Sequence, residues 1–136
     1  MRYWKGIKYQ LAETEVYWLP YAICAFIKER IAVDFIELTP AGKLTLRWGF
    51  AWDGTSGPIR DTKATKRGSQ AHDALCKLMR HGFLPPEAKD TVDDIALHYW
   101  TLDKVWRLKR WIMRRGLQKV DFYVDPENKK KVYEAP

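Results

Sequence analysis

The apolar residues of this chain change period once, between residues 48 and 71, and that change limits what it can fold into. Lys43-Leu44-Thr45-Leu46-Arg47-Trp48 alternates polar and apolar residues, the period of a half-buried strand. Ala71, Leu75, Leu78 and Met79 keep helical spacing. Strand signals gathered before helix signals read as an α+β chain. N-terminal antiparallel β-hairpins occupy about residues 1–50. A long glycine-rich loop follows, then a two- or three-helix bundle over about residues 69–116 and a short C-terminal arm.

Within the β part, Ile31-Ala32-Val33-Asp34-Phe35-Ile36-Glu37-Leu38 is rich in β-branched and aromatic residues and reads as a strand. Thr39-Pro40-Ala41-Gly42 links it to the alternating run, with proline presetting φ and glycine free to take positive φ, so the two runs form a hairpin. Residues 2–19 supply one or two more strands. Ala22 to Arg30 reads equally as a helical turn or a strand. Residues 49–69 form the connection, opened by Gly49-Phe50-Ala51-Trp52-Asp53-Gly54-Thr55-Ser56-Gly57-Pro58. Connections of this length usually carry function.

In the helical part, Ser69 is a suitable N-cap for a helix running to about His81 and stopped by Gly82. Pro85-Pro86-Glu87 opens a second helix, carrying Val92, Ile95, Ala96 and Tyr99. A third runs from about Leu102 to Arg115 and ends at Gly116, either capped by Thr101 or fused to the second. In the tail, Asp125-Pro126-Glu127-Asn128 sits between two β-prone runs, as a hairpin or an arm.

The chain has 136 residues, the size of one domain, so 1–136 is read as a single unit. Its net charge of +7 favours anionic partners. Phe, Trp and Tyr make up 14% of the residues, enough for a few large side chains to fill a small core. No apolar run approaches the length of a transmembrane span, and the first residues do not read as a signal peptide. Cys24 and Cys76 are too few for a disulfide scaffold and read as reduced thiols. The expected location is the cytoplasm.

Three groups of residues carry possible chemistry. His72 and Asp73 are adjacent on the first helix, about 100° apart, so they face neighbouring parts of one site. A histidine serves as base or metal ligand, and an aspartate binds a hard cation. Asp53 and the carbonyls of its loop are natural further ligands for calcium or another divalent cation. The alternative is a buried histidine beside a capping acid. Asp90, Asp93, Asp94 and His98 share a broad face of the second helix, and an antiparallel pairing brings Asp93 or Asp94 against His72. The alternative there is a solvated acidic face. From residue 101 to 119, Lys104, Arg107, Lys109, Arg110, Arg114, Arg115 and Lys119 interleave with Trp106 and Trp111. Such a helix lies on an anionic surface or, less favoured here, holds nucleic acid. Alternatively it is a core helix using Val105, Leu108 and Ile112. Phosphate-loop, nucleophile-elbow and zinc-protease motifs are absent from the sequence. Cys76, one turn after His72, reads as core filler.

The loop from Phe50 to Pro58, the run His72-Asp73-Ala74-Leu75 and the acid in Val92-Asp93 resemble a family of small proteins of unknown function encoded by tailed phages and prophages. That family carries a D-G-[AT]-S-x-P loop and an H-D-x-L-Y helix. The resemblance spans roughly residues 44–116, and Cys76 stands where the family has tyrosine. It implies a place in the host cytoplasm or the virion, and a phage or host protein among the partners. A narrower likeness is to phospholipase A2, with its glycine-rich calcium loop, adjacent His-Asp and aspartate on an antiparallel helix. That likeness implies His72 as general base, Asp93 as the group orienting it, Asp73 as a cation ligand and the Asp53 loop completing the site. The disulfides of that family and its β-poor start have no counterpart here.

Two functions follow as expectations. One is a metal-assisted hydrolase acting on lipid or cell-wall substrates, with His72 and Asp93 catalytic, Asp73 and Asp53 on the metal, and Gly54, Thr55 and Ser56 in the loop. The other is a non-enzymatic virion component or host-interaction module in which the Asp/His network is structural. In that second case Lys104, Arg107, Arg110 and Arg114 form the basic binding surface.

Overall fold

The computed structural model describes residues 2–3, 9–52, 63–118 and 133–134. The architecture is α+β: a four-stranded antiparallel sheet near the N-terminus, followed by three α-helices. The sheet contains β3 (Glu15–Trp18), β4 (Ile31–Val33), β5 (Ile36–Leu38) and β6 (Lys43–Leu46), in the order β3-β6-β5-β4. Two short two-stranded ribbons also form. β1 (Arg2–Tyr3) pairs with β8 (Tyr133–Glu134), and β2 (Tyr9–Gln10) pairs with β7 (Ala51–Trp52).

The hairpin around Thr39–Gly42 forms as expected, with Leu38 opposite Leu44. The Gly42 amide donates to the Thr39 carbonyl (2.9 Å), and Gly42 takes a φ of 87° that side chains disfavour. The run Ile31 to Leu38 is not one strand. It folds back on itself, Val33 pairing with Ile36 around Asp34, whose φ is 47°. Aspartate tolerates this left-handed conformation, which makes the tight reversal possible. The undecided segment Ala22 to Arg30 contains a 3₁₀ helix, Tyr21–Phe26, that seats the buried Ile23 against the sheet. The inward face of the sheet carries Tyr17, Ile36, Leu38, Leu44 and Leu46, all buried.

The helices are α1 (Lys63–Arg80), α2 (Lys89–Leu102) and α3 (Arg107–Gln118). A 3₁₀ turn, Pro86–Ala88, leads into α2. α1 is the central element. Its apolar residues Ala71, Ala74, Leu75, Leu78 and Met79 join the core shared with the sheet and α2. It ends as expected at Gly82 (φ 82°), where the Phe83 amide donates to the Leu78 carbonyl and the Gly82 amide to that of Met79, a glycine-based C-cap.

Three helix boundaries differ from the sequence reading, each for a physical reason. Ser69 is not an N-cap, because α1 begins six residues earlier, at Lys63. Ser69 Oγ instead donates to the Thr65 carbonyl one turn back (2.7 Å), satisfying a hydroxyl in the helix interior. Gly68, placed in the connection by the sequence reading, lies inside α1 as a contact point. A Cβ there would stand 2.5 Å from Trp100 Nε1 and 2.9 Å from the Ala96 carbonyl oxygen, so glycine lets α1 and α2 touch. The connection predicted over 49–69 is correspondingly shorter, since Ala51–Trp52 is a strand and the first turns of α1 begin at Lys63.

α2 and α3 do not fuse. Lys104 takes a φ of 61°, the Val105 amide donates to the Trp100 carbonyl and the Lys104 amide to that of Thr101. This is the same cap as at Gly82, built on a lysine, and the sequence therefore lacks the usual glycine signal. Gly116, read as a stop, lies inside α3 with open space around it. The tail segment around Asp125-Asn128 lies outside the described residues.

These two glycines predict opposite outcomes on substitution. Gly68→Ala overpacks the α1–α2 contact and is expected to destabilise by about 1–3 kcal/mol. Gly116→Ala, which meets nothing, is expected to stabilise by about 0.5–1 kcal/mol through lower unfolded-chain entropy. Urea unfolding of the two variants against wild type checks both signs.

Candidate functional site

α1 buries four polar side chains, Thr65, Ser69, Gln70 and His72, and an unpaired polar group in such a position is costly. Gln70 Oε1 accepts a short hydrogen bond from the Tyr17 hydroxyl, joining helix to sheet. Burial, with Glu15 adding to it, pushes the Tyr17 phenol well above the ordinary tyrosine range, so it stays a donor at any ordinary pH. His72 faces the other way, toward α2.

His72 Nε2 lies 2.8 Å from Asp93 Oδ1. The second oxygen of that carboxylate, Oδ2, accepts from Lys89 Nζ at 2.8 Å, one turn earlier on α2. Lys89 Nζ also donates to the Leu117 carbonyl near the end of α3 (3.1 Å). One carboxylate thus joins α1 to α2, and its lysine joins α2 to α3. His72 is 7% exposed and Asp93 2%. Cys76 Sγ stands 3.6 Å from Nδ1 and 3.7 Å from Nε2 of the same ring. Near-equal distances put the sulfur against the ring rather than in line with either nitrogen. That is packing, not the in-line pair that proton transfer from a thiol requires.

Electrostatics follow from this geometry. Burial works against charge on His72, but the 2.8 Å hydrogen bond to the Asp93 carboxylate favours it, and the imidazole is raised above its ordinary value. Burial likewise opposes charge on Asp93. Its hydrogen bonds to His72 and Lys89 prevail and hold the carboxyl below the usual aspartate range. The two groups thus favour each other's charged forms across the α1–α2 contact.

The other sequence candidates fall elsewhere. Asp73 is half-buried and has no hydrogen-bond or ion-pair partner among the described residues. Asp53, Gly54, Thr55 and Ser56 lie outside the described residues. The expected acidic face of α2 divides: Asp93 points inward, while Asp90, Asp94 and His98 are exposed. Among the described residues no three His, Cys, Asp or Glu side chains cluster closely enough to hold a metal ion.

The basic residues also divide. Lys104 and Arg107 are exposed. Arg110 and Arg114 turn toward α2, where Arg110 Nη1 donates to Thr101 Oγ1 (2.6 Å) and Arg114 Nε to Asp94 Oδ1 (3.1 Å). Leu108 and Ile112, candidates for a core face, are exposed, and α3 packs through Met113 and Leu117 beside Trp100 and Val105. Lys89 is the participant that sequence reasoning missed. Its signal was the Lys89/Asp93 spacing of four, a helical ion pair. Comparison with known proteins finds no matching family model, no matching curated protein and no matching solved structure.

The cluster predicts a pH dependence with a definite sign. A histidine raised on folding stabilises fully below 6.5, and the contribution is lost as pH climbs toward about 10. Unfolding free energy is expected to fall over that window, and His72→Gln to flatten the fall. Asp93→Asn, which leaves the buried His72 and the half-buried Lys89 without their counter-charge, is expected to cost about 3 kcal/mol at neutral pH. Denaturant titrations at stepped pH measure both.

Proposed function

We propose that this chain is a non-enzymatic binding module, a phage virion component or host-interaction protein, in which the His72–Asp93 network is structural and α3 carries the contact surface. The observation that supports this reading is the burial of the His72–Asp93 contact. A general base must be neutral and within reach of a water or substrate proton. His72 is buried with its Nε2 bonded to Asp93, and that carboxylate favours the protonated ring over the neutral one a base requires. Asp93 has both oxygens engaged, one by His72 and one by Lys89, which suits an internal clamp.

One observation favours the second reading, a metal-assisted hydrolase of lipid or cell-wall substrates. Asp93 binds Nε2 of His72, which leaves Nδ1 as the nitrogen a water would meet, and the half-buried Asp73 is the next residue on the helix. Asp53 and its loop would have to complete a calcium or other divalent cation site.

Nitrogen-15 NMR of the His72 ring from about pH 5 to about pH 9 separates the two. The module reading expects an imidazolium across this range and no change in melting temperature with Ca²⁺, Zn²⁺ or Mg²⁺. A neutral ring at pH 7, or a cation-induced shift that Asp73→Asn abolishes, would overturn it in favour of the hydrolase.

A further inference from the structure

The inward bonds of Arg110 and Arg114 fix the rotation of α3 about its own axis. With Met113 buried against α2, the opposite face must point away from the protein. That face carries Leu108, Trp111 and Ile112, which are 68%, 59% and 38% exposed. Their spacing of three and four places them in one stripe, and Arg115 continues it one turn on. Trp106, 83% exposed, stands just before the first turn. Arg107 is exposed beside the stripe, and the Arg115 guanidinium lies 5.3 Å from the centre of the Trp111 ring.

The charge around the stripe has one sign. α3 contains five arginines and lysines and no acid. Two nearby acids are already matched, Asp94 by Arg114 and Asp103 by a two-pronged bond from Arg67 (3.1 and 2.7 Å). An apolar stripe edged by cations, with tryptophan among them, matches the boundary between anionic headgroups and acyl chains. Phosphates accept the arginines, the indoles sit at headgroup depth, and the aliphatic side chains reach the acyl region.

We propose that the outward face of α3 docks on the surface of an anionic lipid bilayer, lying in its plane. The proposal rests on the reading of the chain as a binding module and names the partner of its contact surface. A second copy of the chain fits less well, because a symmetric pairing sets Arg107 and Arg115 against their own copies with no acid on the face to match them. Nucleic acid would satisfy the arginines and stack on Trp111, but it offers Leu108 and Ile112 no apolar partner. No helix among the described residues is long and apolar enough to cross a membrane, so the contact is with the surface.

The test is co-sedimentation of the full chain with vesicles rich in phosphatidylglycerol, against vesicles of phosphatidylcholine alone. Tryptophan emission is followed in parallel. The expected result is binding to the anionic vesicles only, with a blue shift in emission and weakening as salt rises. Trp111→Ser and the pair Arg107→Glu with Arg115→Glu are each expected to weaken binding at least about tenfold. Trp18→Ser, an exposed indole on the sheet, should leave it unchanged. All four residues are on the surface, and a melt of each variant confirms the fold. Absence of binding to anionic vesicles overturns the proposal, as does equal binding by the α3 variants. If the chain then retains an oligonucleotide, or self-associates through the same residues in sedimentation, the lipid is wrong and the contact surface stands. If α3 binds none of these, the lipid proposal fails, and the module reading is decided separately by the His72 ring and the cation melts.

Discussion

The described structure depends on one buried carboxylate. Asp93 gives one oxygen to His72 on α1 and the other to Lys89, which in turn holds the Leu117 carbonyl of α3. Each contact alone is an ordinary charge-assisted bond. Together they set the spacing of three helices from a single point. A carboxylate at 2% exposure cannot keep its charge without such partners.

The sheet is tied to this bundle by a second, aromatic contact. The Tyr17 hydroxyl reaches Gln70, and its ring meets that of Tyr99 edge-on at 5.3 Å. Arg67 lies 4.9 Å from the centre of the Tyr99 ring while bonding Asp103 with its fork. The Tyr99 hydroxyl closes the circuit on the Trp18 carbonyl (3.3 Å). α1 thus lies between two polar systems, one toward the sheet and one toward α2. This explains how a helix with so many polar residues serves as the central element.

How much of this was legible in the sequence depended on whether the signal was local. The change of period, the Thr39–Gly42 turn and the Gly82 stop were readable because each is a property of a few adjacent residues. The contact of His72 with Asp93 was readable as one of two options, Asp93 or Asp94, because helical spacing leaves both on one face. The first turns of α1 were not readable, since Thr65, Ser69 and Gln70 are polar and their burial depends on distant partners. Nothing local marked Gly68 as a helix-interior position, because its need for space is created by Trp100, thirty-two positions away. Lys104 hid a helix end because the left-handed turn there uses a side chain that gives no local sign of it.

The left-handed corner at Lys104 also has a consequence for how the chain tolerates change. The corner, the Arg67–Asp103 fork and the inward arginines of α3 orient that helix without using a residue of its outer stripe. Mutations in Leu108, Trp111 or Ile112 therefore fall on positions that folding does not audit. Selection can change the chemistry of the outer face while the remainder of the molecule stays as it is, an arrangement that lets one surface diverge on a constant scaffold.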